Sequence, residues 1–467
     1  MRLTRRHFLR NAAAASVAFS SLKLIGCGGG GSSKAEIPTG YGDLVPDPEG
    51  IMDLPEGFSY RVLSQFGDPM DDGLIVPSLC DGMAAFPGRD GRTVLVRNHE
   101  LFNATPNLGP FGPDNALFDR VDASKLYDAG VSRPSLGGTS TIVYDSRTGL
   151  VEKQFLSLGG TARNCAGGPT PWGTWITCEE FPAKAGAEYA KDHGYNFEVP
   201  AEADSGLVQA IPLIAMGRFN HEAIAVDPAS GILLETEDRP DGLLYRFLPD
   251  QPGNPAAGGR LQALVVRDQL GFDTRNWLEQ RVTVGAKLVV AWVDLEEPES
   301  PRDDLRFQGA AKGAALFSRG EGLWTGRDGI YVACTSGGRQ IDEAVGGRGQ
   351  VWRYVPSPNE GRSAEDGSPA TLELLFEPND VTELDKVDNI TVAPWGDLLI
   401  CEDGDSDADY LVGLRPNGKS YKFARNVLDQ SEFAGATFSP DGSTLFVNYQ
   451  FSGRTFAITG PWHPPVG

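Results

Sequence analysis

An all-β fold, a six-bladed β-propeller with loop and short-helix insertions, is predicted by three observations. One hairpin pattern recurs six times, glycine (58) and proline (33) are plentiful, and long helical periodicity is scarce. Each recurrence joins a short apolar run, a Pro/Gly/Asp turn and a second apolar run that ends in polar or acidic residues. The six run from Met83 to Glu100, Cys165 to Glu180, Glu222 to Asp238, Gly322 to Ser336, Asn389 to Asp403 and Gly435 to Gln450. Arg89-Asp90-Gly91, Arg327-Asp328-Gly329 and Pro440-Asp441-Gly442 are hairpin turns flanked by β-formers.

Two strands per unit bury too little apolar surface to make a core, so further strands are expected between the hairpins. Ser140 to Tyr144, Gly242 to Phe247, Gln350 to Tyr354 and Phe423-Ala424 supply them. The repeats are unevenly spaced, with large insertions after the first three blades. Helix is expected only at Ala123 to Ala129 and Ala183 to Asp192. A sandwich or a pair of β domains is the competing arrangement.

The N-terminus divides from this region by composition. Thr4-Arg5-Arg6-His7-Phe8-Leu9-Arg10 reads as a twin-arginine export signal. The run Asn11 to Ile25 is too short and alanine-rich for a stable membrane span. Leu24-Ile25-Gly26-Cys27 reads as a lipobox whose cysteine would carry a lipid; an ordinary cleaved signal with an incidental Cys27 is the alternative. The expected organisation is therefore a signal over 1–27, a Gly/Ser-rich tether and lead-in over 28–54, and a propeller domain over 55–467. The protein is expected in the periplasm or at the cell surface, touching membrane through an N-terminal lipid alone. With no heptad run, a monomer is expected.

The formal net charge of −22 argues against nucleic-acid binding, which requires a basic face. It suits hard cations, although an acidic surface also keeps an exported protein soluble. Five cysteines follow Cys27. Cys178, Cys334 and Cys401 lie in apolar strands and read as small core residues, whereas Cys165 sits in the polar stretch Arg163-Asn164-Cys165-Ala166-Gly167-Gly168. An odd number of thiols leaves at least one unpaired within the chain, so disulfides do not organise this fold.

In a propeller the innermost strand of each blade lines a central channel. The residues entering those strands are Asp81, Asn164-Cys165, His221-Glu222, Arg319-Gly320-Glu321, Asp388-Asn389 and, in the sixth blade, Glu432-Phe433. Carboxylates converging on one mouth repel one another unless cations neutralise them. Carboxylate and amide oxygens suit calcium or magnesium; a thiolate among them favours iron or zinc. Glu100, Glu179, Glu180, Glu237, Asp238, Glu402 and Asp403 end the second strands and return to the same face. Of these, Glu100, Glu180 and Glu402 are taken as metal ligands in a wider ring.

Arg97-Asn98-His99-Glu100, the stretch Asn164 to Glu180, Gly217-Arg218-Phe219-Asn220-His221-Glu222-Ala223, Arg319-Gly320-Glu321 and Asp388-Asn389-Ile390 occur in one order. Together they resemble the PhoX family of bacterial alkaline phosphatases, over nearly all of the chain from Pro55 to Tyr449. Cys-Ala-Gly-Gly-x-Thr-Pro-Trp-Gly is the specific part. The resemblance implies an exported six-bladed propeller that hydrolyses phosphate monoesters. Its cofactor would be a cluster of two ferric ions and calcium ions linked by an oxo group. Carried over, Cys165 resembles the iron-binding thiolate, and Glu222 and Glu321 the bridging or terminal carboxylates. Asp388 and Asn389 become calcium or iron ligands, and Arg319 the phosphate contact. The alternatives are a non-catalytic calcium-binding propeller lipoprotein, which has no use for Cys165 or Arg319, and a calcium-dependent lactonase, which needs no thiolate.

Overall fold

The computed structural model describes residues 40–462 apart from 104, 342–345 and 405–407; the expected signal, lipobox and tether up to residue 39 lie outside the described residues. Period-two alternation and Gly/Asp turns fold the described chain into antiparallel ladders arranged as six blades. Blade one comprises Cys80–Pro87, Arg92–His99, Gly137–Asp145 and Leu150–Thr161, in that order from the axis outward. Blade two has three strands, Asn164–Pro169, Thr174–Glu179 and Asn196–Pro200. Blade three is His221–Val226, Leu233–Glu237, Leu244–Pro249 and Gly259–Val266; blade four is Gly320–Thr325, Ile330–Cys334, Gln350–Val355 and Thr371–Phe376. Lys287–Asp294 pairs with the outer strands of both, so these two blades form one continuous nine-stranded sheet.

Blade five is Val387–Val392, Leu398–Glu402, Tyr410–Leu414 and Ser420–Asn426, extended outward by Met52–Pro55 and Leu44–Val45. Blade six takes Phe433–Phe438, Leu445–Tyr449 and Arg454–Thr459 from the end of the chain. Its outermost strand, Ser59–Gln65, comes from near the beginning. The six inner strands pack each against the next, and Phe433–Phe438 against Cys80–Pro87 completes the ring. Apolar faces of neighbouring blades are buried against each other. Leu234, Val332, Trp352 and Tyr354 fill the space around blades three and four, and Leu399, Phe423, Phe433 and Val447 that between five and six. Each such side chain contributes roughly 1.5–3 kcal/mol on burial.

Every hairpin and every intervening strand expected from the sequence is present. The helices are not. Ala123–Lys125 is a single 3-10 turn capped by Asp122, whose carboxylate accepts from the Ser124 amide at 3.0 Å. Ala183 to Asp192 forms no helix, because side chains take its backbone donors. Asp192 accepts from the Ala185 amide (2.8 Å), and Asp128 from those of Ala190 (2.8 Å) and Lys191 (3.1 Å). A short α-helix, Leu305–Ala311, stands instead in the insertion before blade four, anchored by the buried Leu305. Among the described residues no helix is long and apolar enough to cross a membrane.

Candidate metal centre

All six inner strands carry a β-bulge near their entrance. Two inner-strand residues there face one residue of the second strand, between Cys80 and Met83, Asn164 and Gly167, His221 and Ile224, Gly320 and Leu323, Val387 and Ile390, and Ala434 and Thr437. A bulge breaks the period-two alternation and re-aims a side chain. In blades one to five the re-aimed residue is Asp81, Cys165, Glu222, Glu321 or Asp388. One backbone hydrogen bond fixes the equivalence. The amide two residues beyond the bulge on the second strand donates to the carbonyl two residues before that side chain. The pairs are Glu100 to Leu79, Glu180 to Arg163, Asp238 to Asn220, Thr335 to Arg319, Asp403 to Lys386 and Gln450 to Glu432, at 2.9–3.2 Å. In blade six the bulge falls one residue later, at Gly435-Ala436, and the place fixed by the hydrogen bond holds Ala434, which offers no ligand.

Close approach of the inner strands explains the small residues beside them. A Cβ on Gly82 would lie 2.6 Å from the Ala166 Cα, and one on Gly322 would lie 2.8 Å from the Ile390 nitrogen. Polar side chains then lock each blade to the next. Asn98 Nδ2 donates to the Cys165 and Ala166 carbonyls (3.1 and 2.6 Å), and Thr236 Oγ1 to the Glu321 carbonyl (2.7 Å). Asn448 Nδ2 donates to the Asp81 carbonyl (2.7 Å), closing the ring.

Five of the predicted ligands come together in two overlapping groups. Cys165, Glu180 and Glu222 bring one ligand atom each to within 4.8 Å of one another, as do Glu222, Glu321 and Asp388. Glu222 belongs to both and is placed to bridge. The groups are nearly withdrawn from solvent: Cys165 and Glu222 are 3 % exposed, Glu180 and Glu321 4 % and Asp388 9 %. Burial, and then the neighbouring Glu321, Glu180, Asp388 and Asp81, push the Glu222 carboxyl well above the ordinary carboxylate range. Burial followed by Asp238 does the same to Glu321, and burial with Glu222 and Glu180 raises the Cys165 thiol. Such a set is poorly stable as anions by itself and well matched to cations, which invert the local balance. One thiolate with four carboxylates fits a soft-tolerant metal on one side and a hard cation on the other.

In four of these five blades the residue two places before the bulge side chain is also unusual; Asn220, before Glu222, is the exception. Leu79, Arg163, Arg319 and Lys386 have φ of 48°, 49°, 52° and 66°. This left-handed conformation costs a side-chain-bearing residue about 1–2 kcal/mol. Two of the four are arginines that reach the donor groups. Arg319 grips Asp238 with Nε and Nη2 (2.8 and 3.0 Å) and reaches Glu321 with Nη2 (2.8 Å). Arg163, which the sequence reading passed over, contacts Glu100 with Nε and Nη2 (3.2 and 2.6 Å) and Glu180 with Nη2 (2.7 Å). Its signal was present as spacing, since Arg163 precedes Cys165 as Arg319 precedes Glu321.

Other predicted ligands lie outside the two groups. Asn389 is the second bulged residue of blade five. Its Oδ1 accepts from the Gly435 amide (2.6 Å) and its Nδ2 donates to Asp388 (3.2 Å). Glu100 joins Arg163 and Gln450 Nε2 (2.9 Å), which also donates to Asp81 (2.9 Å). Glu402 is engaged elsewhere, accepting from the Asp385 and Tyr410 amides (3.0 and 3.1 Å) and from Lys422 Nζ (2.6 Å).

Behind the mouth, His221 stacks on Phe219 with ring centres 3.5 Å apart, its Nδ1 3.3 Å from Glu235 and its Nε2 3.1 Å from the Gly217 carbonyl. The Cys165 thiol donates to the His221 carbonyl at 3.4 Å. Glu179, beside Glu180, turns to the opposite side and accepts from the amides of Ala162, Gly194 and Tyr195 (2.7–3.1 Å). His193 lies between Glu179 (2.7 Å) and Asp128 (3.2 Å). Burial opposes its charge, but the two carboxylates outweigh that and push its pKa up to about 9.

A solved structure shares this architecture. Pseudomonas fluorescens PhoX in complex with vanadate, a transition-state analogue, superposes with a TM-score of 0.64 at 18 % identity, covering 90 % of this chain and 97 % of that one. The gluconolactonase XC5397 of Xanthomonas campestris gives 0.40 at 13 % identity, covering 91 % and 99 %. No curated protein sequence matches the chain. The family model for alkaline phosphatase PhoX matches residues 39–453, which include five whole blades, all of the sixth but its strand Arg454–Thr459, and every residue of both donor groups. The chain belongs to the PhoX alkaline phosphatase family.

Proposed function

We propose that the propeller mouth hydrolyses phosphate monoesters with iron and calcium held by Cys165, Glu180, Glu222, Glu321 and Asp388. The observation that carries this reading is the sharing of Glu222 by two donor groups, one with a thiolate and one all-oxygen, beside the guanidinium of Arg319. The Cys165 side suits iron, and the Glu321–Asp388 side, with the Asn389 amide adjacent, suits calcium. Bound there, such ions supply Lewis acidity toward phosphoryl oxygens and neutralise developing charge.

The chain's own residues orient the ester. The two bonds from Asp238 set the plane of the Arg319 fork before substrate arrives, so little ordering remains at binding. Buried walls keep bulk water from the donor groups and strengthen each charge interaction inside. In the same reading the protein is exported through the Thr4–Arg10 signal and anchored by lipid at Cys27, which places the enzyme among extracytoplasmic phosphoesters.

Metal analysis of protein purified after export, paired with p-nitrophenyl phosphate hydrolysis in calcium buffer, tests the proposal. Iron together with calcium, and turnover that Cys165→Ala abolishes, is the expected result. Calcium without iron, and no turnover, would leave the non-catalytic calcium-binding propeller.

A further inference from the structure

Arg163 and Arg319 occupy one place in blades two and four, on either side of Glu222 in blade three. Each has left-handed backbone, φ 49° and 52°, two residues before a bulge ligand. Each binds an outer acid through Nε and Nη2, Glu100 for Arg163 and Asp238 for Arg319. Each touches one member of a donor group through Nη2, at 2.7 Å on Glu180 and 2.8 Å on Glu321. Their side chains are equally accessible at the mouth, 21 % and 23 %. The same edge of each guanidinium, Nε and Nη2, is thus given to the acids.

We propose that Arg163 is a second phosphoryl-contacting residue, the counterpart of Arg319 across Glu222. The inference rests on the phosphatase reading above. A phosphoryl group over the shared carboxylate has three terminal oxygens, and two planar forks approaching from opposite sides grip it better than one. The outer acids then have a clear use: Glu100 and Asp238 hold the forks apart and pre-set.

The test is calorimetric binding of orthovanadate and of inorganic phosphate to metal-loaded protein, with iron and calcium content measured on the same samples. Arg163→Gln, Arg163→Lys and Arg319→Gln are compared with the parent. The expected result is that Arg163→Gln weakens both anions about 10- to 100-fold, as loss of charge-assisted hydrogen bonds does, with metal content unchanged. Arg163→Lys, which keeps the charge but not the fork, recovers part of the affinity and covers the case in which the glutamine variant does not fold.

Unchanged anion binding in both Arg163 variants, with Arg319→Gln weakened, overturns the inference and leaves the phosphatase reading standing. Metal lost from both Arg163 variants also overturns it, making Arg163 a positioning residue for Glu180. Parent protein that carries metal yet binds neither anion overturns the phosphatase reading itself.

Discussion

The Cys165 thiol of blade two and the Glu222 carboxylate of blade three stand at the same bulge position one blade apart, with ligand atoms within 4.8 Å of each other. The repeat thus brings unlike donors together by placing different residues at one geometric address. Replacing Cys165 by serine should keep the bulge and remove the soft donor. The expected outcome is at least about a 100-fold fall in iron affinity and in turnover, with strand content by circular dichroism unchanged. Full activity in Cys165→Ser, measured on p-nitrophenyl phosphate, would exclude the thiolate as a ligand.

Chelation should destabilise the protein, because burial and like charge already oppose ionisation of Glu222 and Glu321. In chelated protein Glu222→Gln removes one of these charges and is expected to raise the melting temperature by a few degrees, on the order of 1 kcal/mol. In metal-loaded protein the same change should lower it. Scanning calorimetry of both forms gives the comparison; a lower melting temperature for the chelated variant would contradict the electrostatic account.

His193 makes stability depend on pH in a defined direction. Its folded-state pKa, raised to about 9, lies above the ordinary value of 6.5. Its contribution is therefore complete below pH 6.5, declines as pH rises and is lost past about pH 9. At most about 3 kcal/mol is involved. Urea unfolding of the parent and His193→Gln should differ most near pH 6 and least near pH 9.5. A gap that widens with pH would reverse the assignment of charge.

Gly82 is bounded by the backbone of blade two, so Gly82→Ala should push the first two inner strands apart. A cost of about 1–3 kcal/mol is expected, with turnover lowered because Cys165 is displaced with its strand. Denaturant unfolding and kinetics on one preparation check both effects.

Arg97 is fully buried, with Nη1 on Ser64 (3.2 Å) and Thr455 (2.5 Å) and Nη2 on Ser140 (3.0 Å). Three hydroxyls, one of them in the strand that closes blade six, replace the usual carboxylate. Arg97→Met, of similar length and without the charge, should stay within about 1 kcal/mol of the parent or gain stability. A loss of several kcal/mol in urea would mean that the hydrogen bonds outweigh desolvation.

The blades were legible because strand and turn signals are local: the apolar run Val94-Leu95-Val96 within Arg92–His99, or Pro440-Asp441-Gly442 closing a hairpin. The entrance residues were legible because the repeat aligned them. What each terminal acid does was not. Glu179 and Glu180 are adjacent, and Glu402 ends its strand in the same Cys-Glu context as Glu179. Only the three-dimensional neighbours turn Glu180 to Cys165, Glu179 to His193 and Glu402 to Lys422. The left-handed backbone of Arg163 and Lys386 is imposed by packing between blades, and no propensity of arginine or lysine announces it. The false helix at Ala183 to Asp192 has the same origin, since Asp128 captures its amides from far along the chain.

Ser59–Gln65 completes the sheet whose other strands end the chain, and Gln450 joins Asp81 and Glu100 across separations of 369 and 350 residues. During synthesis, then, five-sixths of the ring exists as an open arc, with strand Ser59–Gln65 lacking its ladder partner until Arg454–Thr459 has been made. Contacts of such span form slowly. Blades two to five can therefore gather the five donors early, but the ring that shuts them away from water closes only when Arg454–Thr459 finds Ser59–Gln65, so closure of the ring and shielding of the site are one event.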